Sequence, residues 1–133
     1  MPYGDEAREI VAVVIVDTSI WVTHLRRGSR HLEELLLDGQ VVCHPLVIGE
    51  LACGNLKNRD EVLSLLQSLP VGPVVTLNEL LFFIERNELM GMGIGFVDAH
   101  LLASAQLSRT PLWTSERTLR LAAISLEVVY EFK

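Results

Sequence analysis

VIVDTSIW, residues Val14–Trp21, is the segment from which the architecture can be predicted. An apolar run ends there in the carboxylate of Asp17, two hydroxyl side chains and the beginning of a helix-like segment. This pattern predicts a buried central strand that carries an acid to the carboxyl edge of a sheet. Because open α/β sheets bind their ligands at that edge, we expect the functional site to lie beside Asp17.

The composition predicts one globular domain over residues 1–133, of which 1–9 are expected to form a short N-terminal tail. Half of the chain is apolar and 21% is charged, so a full hydrophobic core is expected. The apolar runs Ile10–Val16 and Leu89–Val97 are too short to cross a bilayer. The acidic N-terminus lacks the basic region of a signal peptide. We therefore expect a cytoplasmic protein without a membrane segment, in which the two cysteines stay reduced.

Short apolar runs alternate with segments of helical periodicity along the chain. The predicted strands are Ile10–Val16, Val41–Cys43, Val74–Thr76, Leu112–Thr114 and Val128–Tyr130. Predicted helix starts follow from capping residues, from a proline and from a capping-box pattern at 58–61; they are Ser19, Ser29, Pro45, Asn58, Asn78, Phe96 and Ser115. This alternation predicts an α/β fold with a central parallel sheet of four to five strands, covered on both faces.

Asp17 and Glu50 are the first two acids that stand out. A carboxylate after a strand often only caps a turn or a helix, which is the structural alternative for Asp17. Glu50 follows Leu46 and Val47 at helical spacing, so we predict it on the face that packs inward. A buried carboxylate needs a cation, a metal ion or a raised pKa. An arginine partner, or a side chain that reaches the surface, would satisfy Glu50 equally well.

Two further acids follow later in the chain. Asp98 heads a helical stripe that continues through positions 101, 102 and 105, after a loop that contains three glycines. Glu116 comes directly after the predicted strand Leu112–Thr114. For both acids, interaction with the dipole at the start of a helix is the structural alternative.

The four acids share a location, because each follows a strand or lies on a helix beside the carboxyl edge of the sheet. Carboxylates that converge repel each other unless a hard divalent cation lies among them, and Mg²⁺ and Mn²⁺ favour oxygen ligands. Such a site suits metal-assisted hydrolysis of phosphodiesters. The sequence contains no P-loop, HExxH or GxSxG motif, and its four histidines lack the spacing of a metal site.

The charge distribution gives a weaker indication. A net charge of −6 argues against nonspecific binding of nucleic acids through a basic face. Arg26, Arg27 and Arg30 nevertheless cluster in one short segment. This cluster is either a solvated connection between helices or a patch that contacts phosphates, and the sequence favours neither.

Four short segments, in their order and spacing, resemble the acidic motifs of PIN-domain nucleases, most closely the VapC-type toxins of toxin–antitoxin pairs. These segments are VDTS at 16–19, GEL at 49–51, GFVDAH at 95–100 and LWTSE at 112–116. The resemblance extends over nearly the whole chain, from about Val11 to Tyr130. It implies a three-layer α/β/α fold and a Mg²⁺- or Mn²⁺-dependent endoribonuclease that cleaves RNA.

The resemblance also implies roles for individual residues. Asp17, Glu50, Asp98 and Glu116 would form the catalytic and metal-binding quartet, with Ser19 and Thr114 as supporting residues. The family usually has Asp at the fourth position, and the longer Glu116 side chain is a departure from that pattern. A catalytically degenerate PIN-like binding module therefore stays open as an alternative function, and so does a housekeeping or DNA-directed nuclease of the same fold.

The resemblance further implies partners. In this family a VapB-type antitoxin inserts a segment near the active site, and homodimers are usual. We expect the antitoxin on the apolar face of the first two helices; its residues would be Trp21, Leu25, Leu32 and Leu36, together with Ile20. The alternative is that these side chains belong to the core. A cationic antitoxin segment would suit the acidic chain.

Overall fold

The computed structural model describes residues 12–131 of the chain. The predicted N-terminal tail, 1–9, and the first two residues of the first predicted strand lie outside this range. The described part contains three strands and seven helices: β1 (Val14–Val16), α1 (Thr18–Arg27), α2 (Arg30–Leu37), β2 (Val41–Val42), α3 (Pro45–Ala52), α4 (Arg59–Ser68), α5 (Leu77–Arg86), α6 (Phe96–Ser108), β3 (Leu112–Trp113) and α7 (Arg117–Ser125).

The three strands form a parallel sheet in the order β2-β1-β3. Strand β1 is central, and all three of its residues are buried, although successive side chains of a strand point to opposite faces. Both faces of the sheet are therefore covered, as parallel sheets require. The predicted α/β fold with a central parallel sheet is confirmed.

The sheet has fewer regular strands than the four to five predicted. In the described chain, Val129 of the predicted last strand forms only an isolated bridge with Leu112. The prediction of a strand at Val74–Thr76 is wrong, because Val71 is the residue that bridges to Cys43 beside β2. Both edges of the sheet thus end in one-residue pairings instead of full strands.

Thr76 explains why its segment does not form a strand. Its hydroxyl accepts a hydrogen bond from the Glu79 backbone N–H, and the Glu79 carboxylate accepts one from the Thr76 N–H. This capping box begins α5 at Leu77, so the predicted cap at Asn78 is wrong. The capping box predicted at Asn58 is also wrong, because Asn58 has a left-handed backbone and makes no capping hydrogen bond through its side chain.

The strands place the candidate site at the carboxyl edge of the sheet. The Asp17 backbone N–H donates to the Trp113 carbonyl over 2.9 Å, so β1 and β3 remain paired up to their last residues. Helix α6 packs against this sheet with every residue from 99 to 105 buried. Its first turn therefore lies at the edge where β1 and β3 end. No helix within residues 12–131 is both long enough and apolar enough to cross a membrane.

Candidate active site

Asp17 is the most buried of the predicted acids, with 4% of its surface exposed. Its Oδ2 atom accepts hydrogen bonds from the hydroxyls of Ser19 and Thr114, each over 2.7 Å. It also accepts from the Ser19 backbone N–H over 3.4 Å, which makes Asp17 the N-cap of α1. The predicted cap at Ser19 is therefore wrong by two positions. Asp17 therefore caps a helix and is also buried at the carboxyl edge of the sheet, so its capping role does not exclude a role in the site.

The two hydroxyls beside Asp17 are themselves held in place. Ser19 Oγ accepts from the Ser115 backbone N–H over 3.1 Å, and Thr114 Oγ1 accepts from the Glu116 N–H over 3.0 Å. A hydroxyl that accepts from a backbone donor can direct its own hydrogen elsewhere. Here both hydrogens point to Asp17, so the start of α1 and the turn after β3 form one hydrogen-bonded unit.

Glu50 lies on α3 but is exposed, which contradicts its predicted place on the inward face. Val47 and Leu51, one helical turn apart, form the buried face of α3 instead. The Glu50 carboxylate turns toward α1, where its Oε1 atom accepts a hydrogen bond from Thr18 Oγ1 over 2.6 Å. Thr18 was not identified from the sequence, although it lies between the two polar residues that were.

Asp98 is partly buried in the first turn of α6, and its Oδ2 atom accepts from the Gly95 N–H over 3.3 Å. Its pKa is raised from 3.8 to about 6. Burial is the largest cause of this rise, and the Gly95 N–H opposes it. The negative charges of Glu116, Asp17 and Glu50 raise it further. All four predicted acids are therefore close enough to interact electrostatically.

Glu116 is exposed at the N-cap of α7, one position before the first turn in which it was predicted. Its side chain makes no capping hydrogen bond. Among the charges that act on Asp98, that of Glu116 has the largest effect. The carboxylate is therefore near Asp98, and it does not close the end of its own helix.

The glycine loop before Asp98 brings its backbone to the same place. Gly91 and Gly93 have φ angles of +76° and +78°, a conformation that side chains rarely allow. A Cβ atom added at Gly93 would lie 3.7 Å from the Thr118 methyl group, so the loop runs along the start of α7. The Gly95 backbone N–H then donates to Asp98, so the end of this loop contacts the acidic site directly.

The donor atoms fit a hard divalent cation, since all four side chains offer carboxylate oxygens from four different elements. Within residues 12–131, however, no three acidic, histidine or cysteine side chains lie close enough together to form a complete metal site. The residue types nevertheless fit Mg²⁺ or Mn²⁺, which favour carboxylate oxygens.

The predicted arginine cluster lies apart from the acids. Arg26 and Arg27 end α1, and Arg30 begins α2; all three are exposed. A helix of ten residues is about 15 Å long, which separates this cluster from Asp17 at the other end of α1. Contact with RNA phosphates at these arginines stays a prediction.

The predicted antitoxin face is largely core. Trp21 and Leu32 have no exposed surface, so neither can contact a partner in this conformation. The prediction is wrong for these two residues, because their side chains pack in the core with the residues of the sheet. Leu25 is 37% exposed, and Leu36 is partly buried. Only these two of the four keep surface for binding.

His44 has a capping role that was not identified from the sequence. It is fully buried, and its Nδ1 atom accepts from the Leu46 N–H, which caps α3. Burial, and to a lesser extent His100, lowers the pKa of His44 to about 4, so the ring is neutral at pH 7. A histidine immediately before Pro45 was the available signal, because proline favours the first position of a helix.

Comparisons with known proteins agree with this geometry. A family model described as PIN domain matches residues 14–124. The chain is 49% identical over 111 residues to proteins named Ribonuclease VapC32 from two strains of Mycobacterium tuberculosis, CDC 1551 / Oshkosh and ATCC 25618 / H37Rv. In each case the match covers 83% of this chain and 90% of the relative.

A solved structure shares the fold. The crystal structure of PAE2754 from Pyrobaculum aerophilum superposes with a TM-score of 0.58, covering 87% of this chain and 90% of the other. The sequence identity is 18%, so this similarity concerns the architecture alone.

Proposed function

The chain belongs to the PIN-domain family, in its VapC-type branch, and from this premise we propose that it is a metal-dependent endoribonuclease. Its proposed catalytic and metal-binding residues are Asp17, Glu50, Asp98 and Glu116. The substrate proposal comes from the relatives that are named ribonucleases. The metal proposal comes from the residues of the site.

One observation carries the metal proposal most directly, namely the electrostatic environment of Asp98. Burial raises the pKa of Asp98 most, and three other acids, from the end of β1, from α3 and from the start of α7, raise it further. A fold gains nothing in stability from such a gathering, because like charges oppose each other. A group of acids that is unfavourable without a cation is expected where a cation is bound during function.

The residues differ in how firmly they are held. Asp17 is fixed by two hydroxyl donors, so its free carboxylate oxygen can contact a cation without a search among rotamers. Glu50 and Glu116 are exposed, so both carboxylates are accessible from solvent. When bound, Mg²⁺ or Mn²⁺ supplies stabilisation of the phosphoryl oxygens and activation of the attacking water. The four carboxylates would hold that ion.

Regulation by a cognate antitoxin, homodimer formation and a cytoplasmic location complete the proposal. The antitoxin is suggested by the VapC-type branch and by the net charge of −6, which favours a cationic partner segment. The exposed part of the predicted face is reduced to Leu25 and Leu36, so we expect the contact to extend beyond the residues first assigned.

The function is tested by cleavage of a 5′-labelled single-stranded RNA by purified protein. We expect internal cleavage with Mg²⁺ or Mn²⁺ and none with EDTA. Asp98→Asn should lower the rate by more than about 100-fold, because it removes one charge at the reaction centre. Asp38→Asn is the matched control: Asp38 is an exposed acid just before β2, at the opposite edge of the sheet. This variant should cleave as the wild type does.

Other outcomes identify the alternatives. Binding of RNA without cleavage at any metal concentration would indicate a PIN-like binding module. Equal cleavage of single-stranded DNA would indicate a nuclease that is not specific for RNA. An equal loss of activity in Asp38→Asn and Asp98→Asn would mean that net charge, and not the acidic site, determines the rate.

A further inference from the structure

Phe96 is an exposed aromatic residue in the first turn of α6, the turn that also carries Asp98. It is the first residue of α6, two positions before Asp98, and 60% of its surface is exposed. An aromatic side chain of this size usually contributes to a core or to an interface. Its exposure leaves the ring accessible from solvent, in the same helical turn as Asp98.

The Phe96 ring packs against one buried histidine, which in turn lies beside a second buried histidine. Phe96 packs edge-on against His100 with their ring centroids 4.7 Å apart, and His100 lies 6.0 Å from His44. His44 is the N-cap of α3, the helix that carries Glu50. His100 thus lies between Phe96 and the residue that caps the helix carrying Glu50. The contact with His100 restricts one side of the Phe96 ring, which lowers the entropic cost of binding a ligand.

We propose that Phe96 stacks on an unpaired nucleobase of the RNA substrate, next to the phosphate that is cleaved. This inference rests on the proposed ribonuclease function and assigns a residue that determines how the substrate is held. An unpaired base is separated from its own phosphate only by a sugar, so a phosphate bound at Asp98 brings a base near the first turn of α6, which carries Phe96. Recognition of single-stranded RNA commonly uses such stacking on aromatic rings.

The charge of the protein favours a base over a phosphate as the ligand of this surface. With a net charge of −6, the chain repels a phosphate backbone over much of its surface. Stacking on an uncharged base adds affinity that this repulsion does not reduce. Loss of one base stacked on an aromatic side chain weakens binding by roughly tenfold or more. An acidic ribonuclease would depend on this contribution more than a basic one.

The experiment measures RNA affinity in the Asp98→Asn background, which binds without cleaving. The two probes are a fluorescein-labelled decamer of uridylate and a decamer of the same length whose internal nucleotides lack bases. We expect Phe96→Ala to weaken binding of the uridylate about tenfold and Phe96→Trp to preserve it. On the abasic decamer, Phe96→Ala should have no effect, since the base that it contacts is missing.

Phe82→Ala is the matched control, because Phe82 is the same residue type, is 63% exposed and lies on α5. It should leave both affinities unchanged. Equal weakening on both probes, or none on either, would overturn the role of Phe96. A change in oligomeric state with Phe96→Ala at constant RNA affinity would assign the ring to a protein interface. If the wild type neither binds nor cleaves RNA, the proposed function fails, and this inference fails with it.

Discussion

Asp98 is the residue at which the electrostatic cost of gathering the acids is greatest. Its pKa of about 6 in the folded chain exceeds the ordinary value of 3.8, because of burial and because of the three neighbouring carboxylates. The folded state therefore binds the Asp98 proton more tightly than the unfolded state does. As the pH rises from about 4 to about 6, the folded state must lose this proton, and the stability contributed by the group falls.

This sign gives a prediction for Asp98→Asn, measured by urea unfolding in EDTA. The variant should gain stability relative to the wild type as the pH rises from 4 to 6.5, and the difference should stay constant above 7. Solvent screening of a partly exposed group limits the gain to on the order of 1 kcal/mol. If the stability difference between Asp98→Asn and the wild type shrinks as the pH rises, the ionised form of Asp98 stabilises the folded protein, which contradicts this prediction.

Glu50 shows why site residues could be predicted from the sequence while their surroundings could not. The prediction placed Glu50 on a buried face because Leu46 and Val47 precede it at helical spacing. The buried face of α3 is centred on Val47 and Leu51, so Glu50 lies at its border. Periodicity fixes such a face only within one residue, which is about 100° of rotation. The hydroxyl that donates to Glu50 belongs to Thr18 of a different helix, α1, so this contact cannot be predicted from the residue spacing within α3.

At the scale of elements, the helices were predicted better than the strands. Helices α2, α3 and α6 begin at the positions predicted from Ser29, Pro45 and Phe96, because the start of a helix is signalled by residues close to it in sequence. The strands at the edges of the sheet were predicted less well. Whether Val71 or Val74 pairs beside β2 depends on a partner distant in sequence, and local β propensity does not contain this information.

The capping box of α5 can be tested directly because the sequence suggested a different cap. Thr76→Ala removes the hydroxyl that accepts from Glu79, and we expect it to lower the free energy of unfolding by about 1 kcal/mol. Asn78→Ala, two positions later on the exposed side of the same helix, should change it by less than about 0.5 kcal/mol. The measurement is chemical denaturation at pH 7. The reverse order of the two effects would restore the cap predicted from the sequence.

At the scale of the whole molecule, the acidic site and the central strand are one structural unit. Strand β1 is fully buried between its two neighbours. Asp17, the residue that follows it, caps α1 and accepts hydrogen bonds from the hydroxyls of Ser19 and Thr114. Binding at this edge therefore acts on the segment that organises the sheet. A ligand that binds only the folded state stabilises the whole domain through such a site.

Mn²⁺ should therefore raise the thermal midpoint of the wild type. At ten times its dissociation constant, the ion stabilises the folded state by about 1.4 kcal/mol, which corresponds to a shift of several degrees for a domain of this size. Asp98→Asn should show a much smaller shift, because it offers one charge fewer to the ion. It should also begin from a higher midpoint in EDTA at pH 7.5, since the repulsion at this position has been removed.

Two controls separate specific binding from screening of charge. NaCl at the same ionic strength weakens repulsion between exposed carboxylates without occupying a site, so it should raise both midpoints only slightly. Asp38→Asn removes one exposed acid at the other edge of the sheet and should keep the full Mn²⁺ shift. Equal shifts in the wild type and Asp98→Asn would remove Asp98 from the metal site. The raised pKa of Asp98 would then reflect its burial and its neighbours, without a function in metal binding.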